Sequence, residues 1–232
     1  MSRRALRFVG PLLLAAATVW ANTNDCAVLL TSQVVRQMGP HADIAFRIAD
    51  HGGQSSDGLA AVLRARPDDA GARIKQIIDY FGESVGKQAF EQLSLVKHVE
   101  GFDQLVVNLA KQDLDAQGAE AVLRWATTKM AIPDVRRFEF PVEGGVADLL
   151  DAGGNLLEFK ALNLSGYDEF IAEIELAKVR KQGEIFQRHA AASGTQFTLV
   201  FENAVPSEYQ ALFNKVLGSL LSQPNVRFVN GF

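Results

Sequence analysis

Past Pro133 the chain changes texture, and the order of segments that follows constrains its fold more than any other feature. Residues 135–142, 146–150 and 156–162 are short and β-like, with Ala152-Gly153-Gly154 between the last two as a hairpin turn. A long helical stretch spans 167–192, followed by an apolar strand at 197–201, a helix at 207–221 and a closing strand at 226–229. The order β-β-β-α-β-α-β, with a helix at 117–129 in front of it, predicts an α/β structure. A mixed central sheet would be flanked by helices, with a right-handed crossover through the long one.

Upstream the signal is helical. Between Cys26 and about Lys129, apolar residues recur three and four apart, as in Ile74, Ile77, Ile78 and Phe81, or Leu105, Val106 and Leu109. Gly82 and Gly101 mark helix ends or turns, and Arg66-Pro67-Asp68-Asp69 reads as a break followed by a capped helix start. A chain of 232 residues, 48% of them hydrophobic, is long enough to bury one large core or two small ones. We therefore expect a mostly helical region at 22–100 ahead of an α/β domain at 101–232.

Residues 1–21 have a different character. Arg3, Arg4 and Arg7 precede an apolar run from Phe8 to Ala17, and Thr18-Val19-Trp20-Ala21 completes a signal-peptide pattern with cleavage after Ala21. The run is short for a membrane span, so the expectation is a secreted or periplasmic protein with no stable membrane insertion after cleavage; an uncleaved anchor is the alternative. Cleavage removes three arginines and no acid, moving the formal charge from −4 to −7. Broad electrostatic adhesion to nucleic acid is thereby excluded, and any nucleic-acid site must be local. Cys26 is the only cysteine, so no intramolecular disulfide can form, and pairing between chains stays open.

Glu158-Phe159-Lys160 is the only acid-x-Lys triplet in the chain, and it sits inside an apolar strand. Period-two geometry puts both charges on one face. If Ala152-Gly153-Gly154 is a three-residue loop, Asp151 pairs with Asn155, and counting outward brings Asp148 opposite Glu158. Cross-strand Cβ atoms stand roughly 4.5–5.5 Å apart, close enough for two carboxylates to grip one hard divalent cation beside an ammonium. Phosphodiester cleavage needs these groups: metal to acidify a water and neutralise phosphate, ammonium to orient the water or to stabilise developing charge. On the following helix Ile171, Ile174, Lys178, Gln182 and Ile185 share a stripe, and Lys178, Arg180, Lys181, Arg188 and His189 concentrate positive charge.

With these residues in place the chain resembles the PD-(D/E)xK nuclease superfamily. The segments Gly101-Phe102-Asp103-Gln104-Leu105, Gly118-Ala119-Glu120-Ala121-Val122-Leu123 and Arg137-Phe138-Glu139 look like the run-up to nuclease domains of bacterial polymorphic and contact-dependent inhibition toxins. The resemblance covers about residues 101–232 and implies a restriction-endonuclease-like core of helix, three-stranded meander, helix and strand. It implies Mg²⁺ or Mn²⁺ held by Asp148, Glu158 and Glu120, with Lys160 assisting the water and Gln182 at the site. It also implies DNA or RNA as substrate and an immunity or inhibitor protein as partner. Ala147 stands where the family motif often has proline.

Two other readings remain. The domain could keep the fold as a non-catalytic protein-binding module, in line with its acidic charge. Alternatively, the carboxylate pair could serve a glycoside hydrolase; against that, Lys160 should favour ionised carboxylates, whereas a general acid needs a raised pKa.

Overall fold

The computed structural model describes residues 32–50 and 53–232. The leader-like segment 1–21 and Cys26 lie outside the described residues. Two compact units divide the chain, one ending at Lys97 and the other running from His98 to Phe232.

The first unit is helical: α1 (Ser32–Met38), α2 (Ala42–Asp50), α3 (Gln54–Ala65) and α4 (Ala70–Val96). Ile74, Ile77 and Ile78 are buried, as their spacing demands. Helices α3 and α4 approach closely at Gly58, where a Cβ would lie 1.7 Å from the Phe90 carbonyl oxygen. Gly82 marks a break, as expected: its φ 78° and ψ 171°, a non-helical conformation open to glycine, divide α4 into two helical segments, the second ending at Val96. Asp69 makes no side-chain capping bond to α4. Its carboxylate is taken instead by Arg66 and Arg73, at 2.9 Å each.

In the second unit α5 (Phe102–Leu109) and α6 (Leu114–Thr128) precede the strands β1 (Val135–Val142), β2 (Gly145–Asp151) and β3 (Leu156–Lys160). Then come α7 (Glu169–Ser193), β4 (Phe197–Phe201), α8 (Gln210–Leu221) and β5 (Val226–Asn230). The five strands form one mixed sheet in sequence order. The first three pair antiparallel, while β3, β4 and β5 run parallel. Parallel neighbours cannot be joined by a hairpin, and α7 and α8 provide the crossovers. The fold is thus α/β, with a mixed sheet and a mostly helical first unit.

The core of this unit explains the helices. Leu176, Val179 and Phe186 of α7 and Leu212, Phe213 and Val216 of α8 close over Leu156, Phe197, Leu199 and Phe201 of the sheet. By strand alternation Phe159 belongs to the opposite face, where Trp125 of α6 meets it edge-on with centroids 5.8 Å apart. Gly183 lets α7 lie close to that core, since a Cβ there would fall 2.6 Å from Leu220. No described helix is long and apolar enough to cross a membrane.

Candidate functional site

The β2–β3 hairpin sets the position of the charged side chains. Its loop is clamped by Asp151, whose carboxylate accepts both the Asn155 backbone N–H and its side-chain amide at 2.8 Å, while Gly154 takes φ +80°. Leu150 pairs with Leu156 and Leu149 with Leu157, and the same register carried one step further sets Asp148 opposite Glu158. At that step the backbone ladder stops, and the Phe159 N–H donates to Asp148 Oδ2 at 2.7 Å. The strands part, and a carboxylate fills the opening.

Glu158 is 2% exposed, yet its Oε1 accepts from Lys160 Nζ at 2.6 Å while Oε2 has no hydrogen-bond partner. Lys160 Nζ also donates to Gln182 Oε1 of α7 at 2.9 Å. The structure therefore brings Asp148, Glu158, Lys160 and Gln182 together. They lie in a cleft of about 490 Å³ whose walls are the α5–α6 turn on one side and α7 on the other.

A third carboxylate joins them. In β1 the pairs Phe138–Leu149 and Phe140–Ala147 bracket Glu139, which puts it across from Asp148. Glu139 has φ +52°, a left-handed value for a non-glycine residue within a strand, and such a conformation costs roughly 1–3 kcal/mol. Its Oε1 accepts from Asn108 Nδ2 at 2.7 Å. Glu139, Asp148 and Glu158 thus form a row across three strands.

The electrostatics follow from burial. Desolvation raises the pKa of Glu158, facing Asp148 adds to the rise, and Lys160 opposes it. Asp148 is raised for the same first reason, against the pull of Lys160 and the Phe159 N–H. Burial pushes Glu139 up to about 7, with Asp148 adding and Asn108 opposing. Burial alone would lower Lys160, but Glu158 and Asp148 outweigh it and its pKa is raised. The expectation that Lys160 keeps both carboxylates readily ionised is therefore corrected: desolvation exceeds what one ammonium offsets.

Glu120 does not join this row. The cleft-facing residues of α6 are Leu114, Asp115, Gly118 and Ala119, and one residue further the helix has turned about 100° away. Glu120 lies 3.5 Å from Arg124 Nε, and Arg124 also binds Glu202. Asp115 occupies the cleft in its place, accepting from Lys111 Nζ at 2.7 Å. Of the basic residues expected on α7, Lys178 lines the cleft; Arg180 faces Glu184 at 3.5 Å, and His189 stands edge-on to Phe140. Among the described residues no three His, Cys, Asp or Glu side chains form a group able to hold a metal.

Glu139, Asn108 and Asp115 were not foreseen from sequence. Counting back through the Glu143-Gly144 turn, as for the second hairpin, would have set Glu139 opposite Asp148. Asn108 carries no such signal, because its role depends on how α5 lies on β1. No family model, curated protein or solved structure matches this chain.

Proposed function

We propose that the His98–Phe232 unit is a Mg²⁺- or Mn²⁺-dependent nuclease hydrolysing phosphodiester bonds of DNA or RNA on a restriction-endonuclease-like core. The observation that carries this reading is Glu158, a buried carboxylate with one oxygen lacking any hydrogen-bond partner, beside a second carboxylate and an ammonium. Buried polar atoms are nearly always satisfied, so an orphan at the floor of a cleft calls for a ligand. A hard divalent cation suits an all-oxygen donor set. Magnesium commonly takes one or two carboxylates and completes its shell with water and substrate phosphate, so Asp148 and Glu158 suffice without a third acid. The order α6, β1–β2–β3, α7, β4 fits the core implied by the family resemblance.

Asp148 and Glu158 would hold the cation, whose chemistry would be to make a water more acidic and to offset phosphate charge. Lys160, whose pKa is raised, stays protonated and offers a donor to the charge developing on phosphate. Glu158 and Gln182 fix the direction of that donor from two sides. The Phe159 N–H holds the Asp148 carboxylate at the opening between strands. Gln182 acts as a positioning residue, through Lys160. Export to a secreted or periplasmic location, a toxin-like role and an inhibitor-protein partner belong to the same proposal, resting on residues 1–21 and on the resemblance.

The test is incubation of the purified chain with plasmid DNA, total RNA and tRNA in Mg²⁺ or Mn²⁺, with and without chelator. Cleavage should need metal, and Lys160→Ala should lower the rate by at least about 100-fold while metal still binds. The proposal fails if no divalent metal binds, all three substrates stay intact and Glu158→Ala behaves as the parent does. The raised carboxyl pKa values favour one second reading, metal-free glycoside hydrolysis with a protonated carboxyl as the acid. Polysaccharide turnover in chelator would select it.

A further inference from the structure

The cleft bears on the form of the substrate, given the nuclease reading above. Glu158 is 2% exposed, and 20% of the Lys160 side chain reaches solvent. The reacting groups therefore lie at the bottom of a recess whose volume, about 490 Å³, is that of a small-ligand pocket. A phosphate in a double helix brings both strands with it, and duplex DNA is stiff over about 150 base pairs. Seating such a phosphate beside Lys160 requires a kink or unpairing. A single strand can dip one phosphodiester into the recess without either.

Charge points the same way. Residues 98–232 contain eighteen Asp and Glu against twelve Lys and Arg, a net of −6. The wall lysines provide no free basic track: Lys111 is tied to Asp115 at 2.7 Å and Lys178 to Glu175 at 2.6 Å. A duplex presents one phosphate charge per roughly 1.7 Å of axis and a single strand fewer, so an acidic domain repels the duplex more strongly.

The rim adds surface that a duplex exterior does not need. Leu114, 62% exposed, stands on the α6 wall, and Tyr167 lines the cleft ahead of α7. The Tyr167 backbone is anchored at both ends, its N–H donating to the Leu164 carbonyl at 3.0 Å and its carbonyl accepting from the Tyr209 hydroxyl. An aromatic side chain half-buried against the core and an exposed apolar side chain beside a phosphate site suit the face of an unstacked base.

We infer that the substrate is single-stranded nucleic acid or an unpaired loop, with the scissile phosphate beside Lys160 and a neighbouring base against Tyr167 and Leu114.

The experiment uses the full chain carrying Lys160→Ala, in Mg²⁺, and measures fluorescence anisotropy on oligonucleotides of about 16 nucleotides. Probes are a DNA strand, the matching RNA strand, each annealed to its complement, and a hairpin with an unpaired loop; the parent chain is assayed for cleavage of all of them. Single strands and the loop should bind at least about 10-fold tighter than the duplexes and be the parts cut. Tyr167→Ala should weaken single-strand binding by about 5- to 100-fold and Tyr167→Trp should retain it, with the Mg²⁺ titration heat unchanged in both. Leu114→Ala, at an exposed position where misfolding is not a concern, should weaken binding in the same direction. Duplex bound and cut as well as single strand would overturn the inference and leave the nuclease reading standing, as would single-strand binding indifferent to both alanine variants. Absence of Mg²⁺ heat together with no cleavage of any probe would overturn the nuclease reading itself. The DNA and RNA arms report which sugar is taken.

Discussion

Glu158→Gln should make the metal-free protein more stable and the metal-loaded response disappear. The parent carboxylate is 2% exposed, faces Asp148 and leaves one oxygen unbonded, so its charge is held against desolvation. The sign follows from linkage: a carboxyl raised in the folded state lends most stability at acid pH, and loses it as pH rises above the ordinary carboxylate range. Glutamine keeps an acceptor for Lys160 and sets an amide donor against Asp148. Removing one member of a buried ion pair ordinarily destabilises, but desolvation and the facing Asp148 outweigh Lys160 at this carboxyl, so relief of that charge exceeds the lost counter-charge and about 1–2 kcal/mol of stabilisation is expected near pH 8. In the parent, Mg²⁺ at about 100 times its Kd adds about 2.7 kcal/mol. At about 3–5 °C per kcal/mol for a unit of this size, Mg²⁺ should raise the parent midpoint by roughly 8–13 °C. Metal-free Glu158→Gln should start roughly 3–10 °C above the metal-free parent and not move with Mg²⁺. The assay is thermal unfolding of the full chain, in chelator and in Mg²⁺, followed by fluorescence of Trp125, the only tryptophan beyond Trp20. A variant that melts below the parent in chelator, or that keeps the metal shift, refutes the reasoning.

Asn108→Ala removes the hydrogen bond that favours ionised Glu139, so the carboxyl should titrate above its present value of about 7 in a carbon-detected NMR titration. Arg66 and then Arg73 hold Asp69 down to about 2, so its contribution is present above the usual aspartate range and is lost as pH falls toward 2. Asp69→Asn should therefore cost under about 1 kcal/mol at neutral pH, the site being about 30% exposed, and converge with the parent in strong acid by denaturant titration. Gly101→Ala should cost more than about 2 kcal/mol in the same assay, because φ is +80° and a Cβ would lie 2.2 Å from the Phe138 carbonyl oxygen.

The strands and helices of the second unit were legible because their periodicities differ sharply, and β1 and β4 begin and end where residues 135–142 and 197–201 were read. The Asp148–Glu158 register was legible because a glycine-containing loop of known length fixes the count on both sides. Gln182 is reached by Lys160, but the stripe expected to carry it inward is not buried: Ile171 and Ile174 are exposed, and the buried face of α7 runs through Ala172, Leu176, Val179, Gly183 and Phe186. Helix phase defeated the expectation for Glu120: a choice between Asp115 and Glu120 depends on a rotation that composition does not encode when acids occur on several faces. Gly82 was legible because a glycine within a helical pattern signals a break, and its φ of 78° divides α4 there. The balance between burial and Lys160 in setting the carboxyl pKa values depends on depth, which no spacing reports.

The left-handed turn of backbone at Glu139 has an effect unrelated to chemistry. Strand β1 is an edge of the sheet, and a straight edge offers unpaired N–H and C=O groups to any other extended chain. A residue at φ +52°, followed by Pro141 with no N–H to give, interrupts that row twice within three residues. The local distortion that accompanies a carboxylate in the cleft also denies a second molecule a continuous seam, so Glu139→Val, whose β-branched side chain disfavours positive φ, would leave the edge straighter and freer to recruit its own kind.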